Sequence, residues 1–350
     1  MRFIAAPLLL ALTAGCSTLG YYGHVAHGEA SLLVNRKSID AIVADEKTDP
    51  ALRKRLAEAE AARRFASEHL GLPHNKSYTT YVDLSRPYAT WNVFATPEFS
   101  VDPVTHCFPF AGCVAYVGFF DKPSAEREQK KLEGQGNDTA IEGSAAYSTL
   151  GWFADPILSS MLRWSDDELD GMIFHELAHQ LVYAQDDTAF NESFATFVQR
   201  EGLREWRTSR GLPAAGEKDD ARDEAFTALV LDLRERLRAL YARELDAPAM
   251  REAKAKEIDA FRDRYRRLRE TEWKDDAGYD RWVDAPINNA RLVPFGLYDH
   301  WVPAFGRLFI EANGDWPTFY GYVRGLAHLP KDDRDRRLDA WLNALSPTGE

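Results

Sequence analysis

The stretch SDDELDGMIFHELAHQLVYA, residues 165–184, decides the fold because it predicts a buried helix that carries ionisable side chains. Ser165 followed by Glu168 has the spacing of a capping box, which predicts that the helix begins there. From Leu169 to Val182 the residues are almost wholly apolar apart from an H-E-x-x-H pattern at 175–179, so the helix should be buried on nearly every side. Two imidazoles and a carboxylate in such surroundings require polar partners.

The H-E-x-x-H pattern has the spacing of a metal site. Residues four apart lie on one helix face, so the rings of His175 and His179 should stand side by side at a distance that one ion can bridge. Glu176 lies about 100° round the helix from His175, which keeps it out of the ligand set and directs it at a water activated by the metal. We therefore expect Glu176 to act as a general base.

A second helix should follow the short polar break at 185–188. Apolar residues recur at helical spacing from 189 to 198, and Asp187 or Thr188 would cap this helix. The loop is so short that the helix must fold back against the first, which directs Glu192 towards the two histidines. Two histidines and a glutamate with an open fourth position are the ligand set of a catalytic zinc ion. The alternative for Glu192 is a solvated helix carboxylate.

The H-E-x-x-H pattern followed by Asn191-Glu192-x-x-Ala195 resembles the gluzincin metallopeptidases, the group of thermolysin and aminopeptidase N. Twelve residues separate His179 from Glu192, fewer than in either relative. A finer similarity, covering most of the chain after the leader, is to a family of bacterial lipoproteins described as predicted aminopeptidases. That family carries similar blocks around CFPFAGC (107–113), AYSTLGWF (146–153) and HELAHQ to NESFAT (175–196). The resemblance implies an α+β, zincin-like fold with a mixed sheet before the metal helix, one Zn²⁺ ion and a peptide or protein substrate.

In the gluzincin arrangement an exposed edge strand of the sheet binds the peptide by strand addition. Two segments could be that edge, 143–150 and 114–119. We favour the first because it directly precedes the metal helices. Tyr147 lies in it, and is either a substrate contact or a core aromatic residue.

The resemblance also implies a Tyr or His donor, from beyond the ligands, at the oxygen that gains negative charge during hydrolysis. Tyr298 is the first candidate and His300 the second, with a structural role as the alternative for both. Asn289 and Arg291 could bind a carbonyl or carboxylate of the peptide.

Cleavage at the N-terminus of a peptide requires an acidic group that binds the free α-amine. Aminopeptidase N supplies this group from a Gly-x-Met-Glu-Asn strand, which is absent from this sequence. Glu142 is the nearest acidic residue to the expected edge strand. Three functions therefore stay open: an aminopeptidase, an endopeptidase acting on envelope proteins, and a non-catalytic binding module that interacts through residues 219–272.

The first sixteen residues read as an export signal. Arg2 supplies the positive charge, residues 3–12 the apolar core and Thr13-Ala14-Gly15 the small residues before Cys16. The segment resembles a lipobox, in which Cys16 is acylated and anchors the protein to a membrane without crossing it. Ser17 fits the sorting of Gram-negative lipoproteins to the outer membrane, facing the periplasm. An ordinary secretory signal is the alternative.

Export also bears on the two other cysteines. In an oxidising periplasm Cys107 and Cys113 should form a disulfide that closes a tight loop.

The formal net charge of −12, without a cluster of lysine and arginine, excludes a nucleic-acid surface.

The remaining pattern divides the chain of 350 residues into five parts, and 45% hydrophobic residues suffice for a core. We expect a signal peptide at 1–16, a tether at 17–30, helices plus a sheet at 31–144, the metal-binding helices at 145–216, and a helical hairpin with a helical C-terminal part at 217–350. Within the third part, periodicity predicts helices at 31–46, 50–70 and 124–132, and strands at 78–84, 88–94, 113–120 and 139–143. The hairpin helices should span 219–246 and 250–272.

Overall fold

The computed structural model describes residues 5–108, 112–213, 217–274 and 276–345, without the side chains of 5–19, 217–220 and 343–345. The protein is α+β, as predicted. Its helices are α1 (Ala5–Val34), α2 (Ile39–Ala44), α3 (Pro50–Glu68), α4 (Lys122–Glu133), α5 (Asp166–Leu181), α6 (Thr188–Ser209), α7 (Glu217–Tyr241), α8 (Ala247–Thr271), α9 (Asp280–Asp284), α10 (Val293–Tyr298), α11 (Val302–Glu311), α12 (Trp316–Ala327) and α13 (Lys331–Leu345). Its strands are β1 (Lys37–Ser38), β2 (Thr80–Val82), β3 (Thr90–Pro97), β4 (His106–Phe108), β5 (Gly112–Val114), β6 (Tyr116–Phe119), β7 (Asn137–Ser144) and β8 (Ile157–Leu158).

The helix pair α5–α6 forms the centre of the largest hydrophobic core. α5 begins with the capping box of Ser165 and Glu168, and the side chain of Asp187 caps α6 by accepting a hydrogen bond from the N–H of Phe190. Apolar residues of α5 and α6, among them Phe174 and Phe194, pack with α3, α11 and α12. The predicted fold-back of α6 on α5 is therefore present.

The sheet beside this pair is antiparallel, in the order β6-β3-β7. Side chains alternate between its faces, so Val93 and Ile141 pack against α4. Phe94 and Ala140 lie on the opposite face and pack against α10 and α6. One face of this sheet is thus directed at the metal helices.

Two expectations for this region need correction. Instead of one sheet, the described strands form three small ones, in the orders β1-β2-β8, β6-β3-β7 and β4-β5. Residues 17–30 are not an unstructured tether but belong to α1, which covers the outer edge of β6. There, Tyr21 Oη donates to the carbonyl of Gly118 at 3.3 Å, and the N–H of Phe120 donates to His24 Nε2 at 2.9 Å.

The helices α7 and α8 pack on each other and enclose a second hydrophobic cluster. Its members include Phe226, Val230 and Phe261. Among the described residues, no helix combines the length and the apolar character needed to cross a membrane.

Candidate metal centre

Three ligand atoms converge between α5 and α6. His175 Nε2 lies 3.1 Å from His179 Nε2, and Glu192 Oε2 lies 3.2 Å and 3.3 Å from these two nitrogens. All three residues are buried. Ligand atoms about 2.1 Å from a tetrahedral ion are separated by roughly 3.4 Å, so the observed distances suit a shared ion. The group could therefore hold a metal ion.

The electrostatics of the group favour a bound cation. Burial opposes the ionised carboxylate of Glu192, but the charge of His179 and hydrogen bonds from both histidines outweigh it and lower the pKa of Glu192 to about 2. Burial likewise opposes the charged form of His179, yet the carboxylates of Glu192 and Glu176 raise the pKa of that imidazole. Glu192 is thus ionised at neutral pH, the form in which a carboxylate binds a metal.

Gln199 orients the first histidine and was missed by sequence reasoning. Its Oε1 lies 3.1 Å from Nδ1 of His175. An amide oxygen only accepts, so Nδ1 carries the proton and Nε2 keeps its lone pair for a metal. Gln199 follows Glu192 by seven residues, two helical turns on the same face of α6, and that spacing is the signal that could have identified it.

Glu176 is half-buried and lies outside the ligand group. Burial raises the pKa of Asp155 to about 6; hydrogen bonds from Thr149 oppose this rise, and the charges of Glu176 and Glu29 add to it. The charge of Glu176 acts in the same direction on the buried hydroxyl of Tyr78. Glu176 therefore lies within electrostatic range of Tyr78 and Asp155 and outside the ligand group.

Of the two candidate donors, the structure brings Tyr298 to the histidines. Its ring centroid lies 6.0 Å from that of His175, with 26° between the ring planes. Burial, with Glu192 and Glu176 adding to it, raises the pKa of Tyr298 well above its usual range, so its hydroxyl stays protonated. His300 packs on Trp301 instead, and the charges that act on it come from α7 and α13.

Tyr116 approaches the same group from the sheet and was not singled out in the sequence. Burial raises its pKa well above the usual range, and Glu192 and Glu176 are the next contributors. Its ring centroid lies 5.2 Å from that of Phe94 on the face directed at α6 and α10. Only the strand register reveals this placement, because Tyr116 precedes the ligands by about sixty residues.

Glu142 lies on the same face of the sheet, two residues after Ala140 in the outer strand β7. Its carboxylate forms no hydrogen bond or salt bridge with any described residue, although burial raises its pKa and the charge of Arg291 opposes that effect. The charge of Glu142 also contributes to the raised pKa of Tyr298. An acidic group thus lies within electrostatic range of both Arg291 and Tyr298.

The three predicted substrate contacts are engaged elsewhere in the fold. Tyr147 packs on Phe120, with ring centroids 4.8 Å apart, and lies partly buried against the largest hydrophobic core. Asn289 is fully buried; it accepts a hydrogen bond from Tyr241 Oη at 2.8 Å and donates one to the carbonyl of Glu98 at 2.9 Å. Arg291 donates to the carbonyls of Pro286 and Trp282 at 2.8 Å and 3.0 Å. The amide of Asn289 and the guanidinium of Arg291, which could bind a peptide, therefore form hydrogen bonds within the protein.

The edge strand expected at 143–150 lies earlier in the chain. The strand ends at Ser144, so its outer edge comes from 137–144, and residues 145–150 form a loop. The other candidate, 114–119, contains β6, whose outer edge is covered by α1.

Cys107 and Cys113 are joined by a disulfide across the β4–β5 hairpin. The N–H of Cys113 donates to Asp186 Oδ1 at 2.6 Å, which ties the hairpin to the connection between α5 and α6. The side chain of Cys16, the predicted acylation site, lies outside the described residues.

The sequence model of a protein family described as "Putative aminopeptidase" matches residues 20–338. No curated protein and no solved structure matches the chain.

Proposed function

We propose that this chain, which belongs to the family described as "Putative aminopeptidase", hydrolyses peptide bonds with one zinc ion held by His175, His179 and Glu192. The convergence of these three buried side chains carries the proposal. Two imidazoles and one carboxylate match the three-ligand set of catalytic zinc sites, which leave a fourth position open. When bound, zinc supplies Lewis acidity at the scissile carbonyl and lowers the pKa of the attacking water.

The protein's part in proton transfer falls to Glu176. It is half-buried, lies one residue from a ligand and takes no part in the ligand group. A carboxylate in this position can accept the proton of the attacking water and pass it to the leaving amine.

Tyr298 is proposed as the donor to the oxygen that gains negative charge. Its hydroxyl is kept protonated by burial and by the neighbouring carboxylates, and its ring stacks beside His175. A hydroxyl that is already fixed in this position stabilises the developing negative charge without any rearrangement of the surrounding site.

N-terminal cleavage is supported by Glu142. An unpaired carboxylate on an outer strand, on the face that meets Tyr298, can attract the ammonium group of a peptide's first residue. Peptides with a free N-terminus should therefore be cleaved faster than the same peptides acetylated there. Equal rates on the two would indicate an endopeptidase.

A lipid-anchored location in the cell envelope, facing the periplasm, is supported by the leader before Cys16 and by the Cys107–Cys113 disulfide, because disulfides persist in oxidising compartments. Labelling of cells with a radioactive fatty acid should mark the native chain and not Cys16→Ser. Recovery of unlabelled native protein in the soluble periplasm would contradict the anchor.

The central test combines metal analysis with a cleavage screen. Purified protein should contain about one zinc per chain, and a mixed peptide library should yield new ends that report the cleavage site. Stoichiometric zinc with no cleavage of any peptide would instead favour a non-catalytic binding module.

A further inference from the structure

The loop after β7 carries two exposed aromatic side chains. Trp152 is 69% and Phe153 is 49% exposed, in a protein that buries most of its large apolar residues. Adjacent exposed aromatic residues of this kind commonly mark a binding surface.

The loop is held in one conformation by a buried carboxylate. Asp155 accepts hydrogen bonds from the N–H of Thr149 at 3.1 Å and from its Oγ1 at 2.8 Å. The same Oγ1 accepts from the N–H of Phe153 at 3.0 Å, and the carbonyl of Thr149 accepts from the N–H of Trp152 at 3.2 Å. The two rings are therefore presented by an ordered turn, which lowers the entropy lost when they bind a ligand.

The loop borders the metal centre on the side of Glu176. A Cβ at Gly151 would lie 3.2 Å from Cγ of Gln180, so the backbone of the loop touches that side chain. Gln180 follows Glu176 by four residues and occupies the same face of α5. The charge of Glu176 also reaches Asp155 at the base of the loop. The contact with Gln180 thus places the loop on the face of α5 that carries the expected general base.

We propose that Trp152 and Phe153 bind a large apolar side chain of the peptide at a position flanking the scissile bond. This inference rests on the proposed peptidase function and adds to it a substrate class, peptides with leucine or an aromatic residue at that position. The rings supply apolar contact area, and the neighbouring carboxylates disfavour acidic side chains there.

The test compares the zinc-loaded full chain with its Trp152→Ala/Phe153→Ala variant. Substrates are two peptide series that vary one flanking position at a time, with Leu, Phe, Ser or Asp. We expect kcat/KM for the preferred Leu and Phe peptides to fall about tenfold or more in the variant, mainly through KM, and to change less than about twofold for Ser peptides. Ile310→Ala is the matched control, because Ile310 is 68% exposed and lies on α11, outside the loop.

Each other outcome has a distinct meaning. An equal fall for all peptides, or no fall for any, overturns the proposed subsite while leaving the peptidase function intact. A native chain that cleaves no peptide refutes the peptidase function itself. Binding of the protein to vesicles of phosphatidylethanolamine and phosphatidylglycerol is measured with Cys16→Ser present in both chains. If the Trp152→Ala/Phe153→Ala variant loses vesicle binding but keeps the native cleavage rates, the aromatic pair contacts membrane and the subsite is rejected.

Discussion

The helix pair α5–α6 buries ionisable side chains, whereas the fully buried residues described in the hairpin α7–α8 are apolar or aromatic. Buried polar groups cost free energy of folding unless they are partnered. In α5–α6 these partners exist: Asn191 bonds the N–H and the carbonyl of Ala184 at 2.7 Å each, and Ser193 Oγ donates to the carbonyl of Leu297 at 2.9 Å. The hydrogen bond from Ser193 to Leu297 also fixes α10, which carries Tyr298, to α6, which carries Glu192.

Many charged side chains of the hairpin lie at the surface. Ion pairs such as Lys256 with Glu252, at 2.6 Å, are exposed on both sides and contribute little to stability. The contrast indicates that substitutions of the metal-site residues in α5–α6 should change chemistry, while substitutions in the hairpin should change stability alone.

The largest effect is expected for Glu176→Gln. Without a proton acceptor, kcat/KM on a cleaved peptide should fall about a thousandfold, with zinc content unchanged, because Glu176 lies outside the ligand group. Peptide kinetics and elemental analysis on the same sample measure both. Glu252→Gln on α8 is the control and should match the native enzyme; native rates in the zinc-loaded Glu176→Gln variant would rule out the general-base role.

Phe261→Ala tests the other half of the contrast. Phe261 is fully buried in the hairpin cluster, so the free energy of unfolding should fall by about 3–5 kcal/mol. Denaturant titration measures this fall. Zinc content and kcat/KM of the folded fraction should stay native, and a selective loss of either would mean that the hairpin contributes to the metal centre.

Asp170→Asn should remove a pH dependence of stability that arises inside α5. Burial raises the pKa of Asp170 to about 7, and the hydrogen bond from Trp206 Nε1, at 2.8 Å, only partly opposes this. A raised carboxyl pKa means that the folded state binds the proton more tightly, so stability is highest below the ordinary pKa of 3.8 and is lost as the pH rises to about 7. The asparagine variant still offers an oxygen to Trp206 and should be more stable at pH 8, on the order of 3 kcal/mol.

Thermal unfolding followed from pH 4 to pH 8 measures this difference. Asp263→Asn, an exposed change on α8, should retain the pH profile of the native chain. Parallel profiles for Asp170→Asn and the native chain would show that the pKa of Asp170 is the same in the folded and unfolded states.

The smallest effect is expected for Gln199→Leu. Loss of the acceptor at Nδ1 frees the ring of His175, so zinc affinity should fall about 10–100-fold without loss of the fold. Competition with a chelator measures the affinity, and circular dichroism checks the helices. Native affinity would show that packing alone orients His175.

Local spacing determined much of the candidate site in advance. The capping box at Ser165, the pairing of His175 with His179 and the projection of Glu192 from a second helix all follow from the 3.6-residue period and a short loop. The same helical period places Gln199 on the face of α6 that carries Glu192, so it could have been predicted in the same way. In contrast, Asn289 and Arg291 were chosen as isolated polar residues, and no periodicity shows whether such side chains bond to a ligand or to the protein.

By itself, the sequence determined the helix pair and its three ligand atoms, because neighbours on a helix are neighbours in space wherever the helix lies. Tertiary structure alone decided that Tyr298 and Tyr116 lie near that group, that Glu142 lies on the same face of the sheet as Tyr116, and that His300 lies elsewhere. Those placements depend on strand register and on the docking of α10, which join segments far apart in the chain. A register shift of one residue would turn Tyr116 and Glu142 to the opposite face, and no local pattern encodes that choice.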